Sequence, residues 1–209
     1  MMTKPYLMSA LLGMSIIAGG CVSSILPAAK DANLVYRLAS PTTSAVPSPS
    51  AHIIRVDRPA APRFLGGTSV VVSPDQERLA VAGGAEWGEA IPDMVQATFM
   101  DVLSSRDDLV GILPTSGART TERVHITIRH FEAQFDKGES QAPLATVQYA
   151  VVLSNAANRD LIGKYDIRKT SRADDIRVTS IVDAQSRANL AALNDLADWL
   201  AVQLSEYKS

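Results

Sequence analysis

Val124-His125-Ile126-Thr127-Ile128-Arg129-His130-Phe131-Glu132-Ala133-Gln134-Phe135 is the stretch on which the fold turns. Val124, Ile126 and Ile128 share one face of an extended chain, and Phe131, Ala133 and Phe135 have the opposite parity. The apolar phase therefore slips by one residue near Arg129-His130. A β-bulge at that point restores a single inward face, because a bulge adds one residue to one strand of a pair. Downstream, Ala145, Val147, Tyr149, Val151 and Leu153 alternate cleanly, residues 155–160 read as a turn, and residues 161–170 form a third extended segment. Three such segments joined by short turns predict an antiparallel meander.

Upstream, Leu34-Val35-Tyr36-Arg37-Leu38 is a short apolar strand candidate, followed by a loop rich in proline and serine over residues 41–50. Residues 52–59 alternate as a strand, with Ile54 and Val56 on one face and Ile53, Arg55 and Asp57 on the other. Residues 68–73 and 78–82, joined across Pro74-Asp75, predict a hairpin, and Gly66-Gly67 and Gly83-Gly84 read as turn and bulge residues. Ile91, Met94, Val95, Phe99, Val102 and Leu103 recur at offsets of 0, 3, 4, 8, 11 and 12, one face of an amphipathic helix. Pro92 suits its first turn, and Glu89 and Asp93 place negative charge at the positive end of its dipole. Residues 109–113 form another strand candidate. A last long helix presents Leu193, Leu196, Ala197, Leu200 and Leu204 on one face, extended upstream by Val182, Ala188 and Ala192. The expected class is α+β, an antiparallel sheet with two main helices packed on it, in a single domain over residues 34–209.

The start of the chain has a different character. Lys4 is the only charge before an uncharged apolar run over residues 6–18, and Gly19-Gly20 then precede Cys21. This is the layout of a secretory signal, and at 13 residues the run is shorter than the roughly 20 that span a bilayer. We expect residues 1–20 to be cleaved and Cys21, the one cysteine in the chain, to become the first residue and carry a lipid. The layout resembles a bacterial lipoprotein signal, with Ala18 where leucine is usual. Residues 21–33 are small or polar and read as a flexible tether, reaching at most roughly 45 Å when extended. With one cysteine there is no internal disulfide, so stability must come from packing. The net charge of −2 becomes about −3 once Lys4 is removed, with both signs interspersed, which is no footprint for nucleic acid.

Candidate chemistry in the chain is sparse. Glu86 and Glu89 flank Trp87, yet they read as acids near a helix start beside a core tryptophan, not as a catalytic pair. His125 and His130 are five apart, so joint metal ligation would depend on the bulge, and His52 is remote in sequence. No G-x-S-x-G elbow or phosphate-cradling glycine pattern is present. Arg168, Lys169, Arg172 and Arg177 gather before the last helix with Asp174 and Asp175 among them, which reads as a solvated mixed-charge loop. Trp87 and Trp199 are expected in the core, and either becomes the leading contact candidate if exposed. No catalytic residue, cofactor or metal is expected.

Three stretches together resemble the ABC-transport auxiliary lipoproteins, the family of the paraquat-inducible lipoprotein PqiC. They are Leu34-Val35-Tyr36-Arg37-Leu38 after a lipoprotein cysteine, Glu86-Trp87-Gly88-Glu89-Ala90-Ile91 opening the first helix, and the last helix from Val182-Asp183-Ala184 through Ala191 and Leu193 to Trp199-Leu200. Gly88 and Ala90 stand where the family usually has alanine and proline. The resemblance implies an α+β domain similar to the amino-terminal domain of TolB. It also implies a non-enzymatic auxiliary part of an ABC transporter that works with a mammalian-cell-entry (MCE) protein in lipid transport, anchored to a membrane, with homo-oligomers possible. Trp87, Glu89 and Trp199 are then motif or partner-contact residues. Val22 after the cysteine resembles a signal for the outer membrane, facing the periplasm. The competing expectation is an independent lipid- or ligand-binding lipoprotein with an apolar pocket.

Overall fold

The computed structural model describes residues 33–75 and 77–207. The signal, Cys21 and the tether up to residue 32 lie outside them. The chain forms β1 (Leu34–Tyr36), β2 (His52–Val56), β3 (Ser69–Ser73), β4 (Ala80–Trp87), α1 (Ile91–Ser104), β5 (Leu109–Ile112), β6 (Glu122–Gln134), β7 (Leu144–Asn155), β8 (Leu161–Arg172) and α2 (Val178–Tyr207).

Strand β6 is the spine. Along one side it pairs antiparallel with β7 from Glu122↔Asn155 to Gln134↔Leu144, and β7 pairs antiparallel with β8. The register shifts between Ile128↔Tyr149 and His130↔Gln148, so Arg129 is the inserted residue. Val124, Ile126, Ile128, Phe131 and Ala133 are in consequence all fully buried. The bulge does what the phase slip in the sequence requires.

The other side of β6 is shared. Ile54–Val56 of β2 pairs with its first half and Val72–Ser73 of β3 with its second half, both parallel to it. Beyond β3 lie β4 and then β1, in the order β1-β4-β3-β6-β2-β5. The sheet is thus mixed, not wholly antiparallel as expected: the meander and the β3–β4 hairpin are antiparallel, while β1, β2 and β5 pair in parallel. The cause lies between β2 and β3. Beyond β2 the chain keeps pairing with β6 instead of turning back: Ala60 bridges Thr127, donates its N–H to the Ile126 carbonyl at 2.9 Å and accepts the Ile128 N–H at 2.8 Å. β3 therefore arrives pointing the same way as β2.

Both helices cover one face. The α1 stripe read from the sequence is buried throughout, and so are Val182, Ala188, Ala192, Leu193, Leu196, Ala197, Leu200 and Leu204 of α2. Trp87 meets Phe131 edge to face at 6.0 Å between ring centroids. Trp87 and Glu86 end β4; they do not open α1, whose N-cap is the extended Ala90. Gly83 and Gly84 lie inside β4, where several extra residues separate Ser69↔Glu86 from Val71↔Val81 and Gly84 takes φ +73°. Only a residue without Cβ adopts that conformation without strain.

Two amides on the buried face of α2 tie the layers together. Gln185 donates to the Val71 carbonyl at 3.1 Å, and the Tyr149 hydroxyl donates to Asn189 Oδ1 at 2.5 Å. Burial pushes the Tyr149 phenol well above its ordinary value, so this group stays a donor. Tyr149→Phe leaves the Asn189 oxygen buried without a donor and should cost about 1–3 kcal/mol in urea unfolding, with the midpoint falling and the slope unchanged.

Arg58 forks onto Asp93 in the first turn of α1, with N–O distances of 2.5 and 2.9 Å. The guanidinium holds the Asp93 carboxyl below its ordinary 3.8. The stability this pair contributes is therefore present above pH 3.8 and is lost as pH falls through the depressed value. Both side chains are half exposed, so Arg58→Ala should cost no more than about 1 kcal/mol at neutral pH, and nothing once Asp93 is protonated, in parallel unfolding curves at the two pH values.

Candidate interaction site

The two amino-terminal segments singled out from the sequence meet in space. β1 pairs with the end of β4, Leu34↔Ala85, Val35↔Glu86 and Tyr36↔Trp87. The Gly88 N–H then donates to the Tyr36 carbonyl at 2.8 Å, the Trp87 N–H to Thr68 at 2.7 Å, and the Ile91 N–H to Gly67 at 3.0 Å. These bonds fix the crossing from β4 into α1. At Gly88 a Cβ would stand 3.4 Å from both the Tyr36 carbonyl and Val35 Cγ1, so β1 packs in van der Waals contact with this crossing.

The crossing leaves a surface groove of about 510 Å³. Val35 and Leu38 form one wall, Met94, Ala97 and Thr98 of α1 form the other, and Arg37 and Glu89 belong to its lining. Glu89 is exposed, and neither it nor Arg37 has an ion-pair partner among the described residues. Leu34 and Val35 are 63% and 62% exposed on an edge strand with no neighbour on its outer side among the described residues. An apolar groove with one cation and one anion suits recognition of another chain or of an amphiphile. It contains no nucleophile paired with a base.

The remaining expectations fall elsewhere. Trp87 is buried in the core at 1% exposure, so of the two motif residues on this side only Glu89 can touch a partner directly. Trp199 lies on α2 at the far end of the sheet, half-buried, stacked on Tyr165 of β8 at 5.2 Å and packed over Gly163. It is not part of the groove. The four cations before α2 disperse: Lys169 pairs with Asp195 at 3.0 Å, Arg172 with Asp136 and Arg177 with Asp175. His130 Nδ1 lies 2.6 Å from Glu132 and His125 Nδ1 4.0 Å from Asp57; no cluster of three metal-ligating side chains occurs among the described residues. Glu86, on a strand, is separated from Glu89 by the crossing.

Sequence reading missed Ala97, Thr98 and the Arg58 contact. Thr98 lies at offset 7 from Ile91, on the apolar stripe, and is buried at 3% exposure; its position in the helix period was the available signal. Arg58 had none, since its partner is 35 residues away.

No helix among the described residues is long and apolar enough to cross a membrane. No curated protein matches the chain. Among solved structures, protein XCC0632 from Xanthomonas campestris, of the family designated DUF330, superposes with a TM-score of 0.73 at 16% identity, covering 84% of this chain and 99% of its own. An uncharacterized protein superposes with a TM-score of 0.65 at 13% identity, covering 81% of this chain and 99% of its own. These likenesses establish a shared fold. The family model for the ABC-type transport auxiliary lipoprotein component matches residues 36–197, from β1 through most of α2, and the chain therefore belongs to that family.

Proposed function

We propose that this chain is a non-enzymatic accessory subunit of an ABC-type transport system, held in the cell envelope by a lipid on Cys21. It docks through the groove between β1 and α1 onto an MCE-type protein, helping to hold a lipid channel near the outer membrane. The observation that carries this reading is the convergence of the 34–38 and 86–91 segments on one exposed, partly apolar surface. The core beneath is filled by side chains, with Trp87, Tyr149, Phe99 and Phe131 all fully buried, which favours docking over carriage of a ligand inside the domain.

The competing reading, a lipoprotein that binds a ligand of its own, has the groove volume in its favour, since small-molecule sites run from about 300 to 1,000 Å³. Its lining argues against it: Arg37, Ser40 and Glu89 stand among the aliphatic residues of a surface groove.

A photo-crosslinking side chain at Val35 or Glu89, in cells expressing the full chain, should capture an MCE or permease component, while one at Arg159 on the β7–β8 turn should not. Capture of neither component from either groove position sinks the docking reading. The anchor is tested separately: detergent-extracted protein should exceed the mass of residues 21–209 by its acyl groups, and Cys21→Ala should abolish that excess. A bare Cys21 in native material refutes lipidation.

A further inference from the structure

The two layers of the domain carry opposite charge. α1 and α2 hold Asp93, Asp101, Asp183, Asp195, Asp198 and Glu206 against the single base Arg187, with Asp93, Asp195 and Asp198 paired to Arg58, Lys169 and Arg106 from outside the helices. The open face of the meander is different. Along β8, Lys164, Asp166, Arg168 and Thr170 are exposed, while Ile167 is buried and Lys169 reaches Asp195 on α2. The even-numbered residues of β8 therefore face away from the helices. Cross-strand register sets Arg168 beside Gln148 and Lys164 beside Val152, and these continue to His130 and His125 on β6. The bulge turns Arg129 out beside His130, since the two residues of a bulge share one partner.

The cations on this face exceed its acids, which are Asp57, Asp166 and the buried Glu132 held against His130 at 2.6 Å. Asp57 is a single carboxylate, yet Arg55 and Arg123 both contact it, and His125 is 4.0 Å away. Arg129, Lys164 and Arg168 have no ion-pair partner among the described residues, and Asp166 is the one exposed acid between the last two. These cations are spread along β2, β6 and β8, and none of them lines a described pocket. A dispersed set of point charges matches an anionic surface with no fixed pattern of acceptors.

We propose that the open face of β6, β7 and β8 lies on the anionic phospholipid headgroups of the leaflet that holds the chain, with the acidic helix layer turned away from the membrane. This rests on the envelope location proposed above. It adds an electrostatic contact to the anchor, and it sets which side of the domain remains open to a protein partner.

The test uses the chain from Cys21 onward with Cys21→Ser, so that no acyl group contributes and an absent anchor cannot mimic an absent face. Cosedimentation is measured with phosphatidylcholine vesicles with and without phosphatidylglycerol. Binding should require phosphatidylglycerol and weaken in high salt. Arg129→Glu with Lys164→Glu and Arg168→Glu should lower the partition coefficient about tenfold or more. Arg63→Glu with Arg119→Glu and Arg159→Glu, the same change in net charge off this face, should lower it far less. Because Cys21→Ser leaves no cysteine, a fluorophore on Thr170→Cys can be compared with one on Asn194→Cys of α2, and only the first should report the headgroup environment. Equal loss in both triple variants overturns the proposal, as does equal response of the two probes. So does an absence of vesicle binding, including the case in which the first triple variant instead abolishes self-association or capture of a protein.

Discussion

A thirteen-residue strand has to keep one apolar face against two helices along its whole length, and in this protein it does so only because Arg129 is inserted without a cross-strand partner. Without that extra residue, Phe131 and Ala133 would turn to solvent while Val124 and Ile128 stayed inside, since a shift of one residue exchanges the two faces of a strand. Every other strand is placed through β6: β7 along its full length, β2 and β3 on its two halves, and β1, β4, β5 and β8 through those neighbours. The bulge also sets which polar residues face outward. Arg129 and His130 on the open side are the outward consequence of the geometry that buries Phe131.

The groove follows from this frame. β3 lies parallel to β6 because the stretch before it continues along β6 through Ala60, and β4 then carries Trp87 to the point where α1 must begin. β1 closes on that end through the Gly88–Tyr36 backbone bond, and among the described residues its outer edge has no strand partner. Natural sheets usually shorten or cover such edges, because an unpaired row of backbone groups invites another chain. Here the edge is only three residues long, and what it leaves exposed are the apolar side chains of Leu34 and Val35. The buried amides Gln185 and Asn189 hold α2 in register with β3 and β7, so the helix layer forming the other wall of the domain is fixed by polar contacts as well as by its alanine-rich packing.

Trp87 and Trp199 show how unequal the legibility of the site was. Both are aromatic motif residues in otherwise apolar surroundings, and local sequence treats them alike. The structure buries Trp87 against Phe131 at one edge of the sheet and leaves Trp199 half-covered, stacked on Tyr165 over Gly163, at the other. The small residue opposite Trp199 lies 36 positions earlier, and no periodicity in α2 reports it. The Arg168 to Arg177 cluster behaves in the same way: close in sequence, its members are parted by strand alternation and by the turn into α2, so that Lys169 faces the helix and Arg168 the open side.

Residue order alone determined the α+β class, both helices and their buried faces, the hairpin across Pro74-Asp75, the meander, and the bulge near Arg129-His130. Each is written in a local period or a local breaker, and burial of one face enforces it. The direction of β1, β2 and β5, the meeting of the 34–38 and 86–91 segments in one groove, the separation of Trp199 from it, and the opposite charge of the two layers were settled only by the tertiary structure. Those features depend on which strands become neighbours, and pairing between segments tens of residues apart is selected by the packing of the whole sheet, with no signature in any single segment.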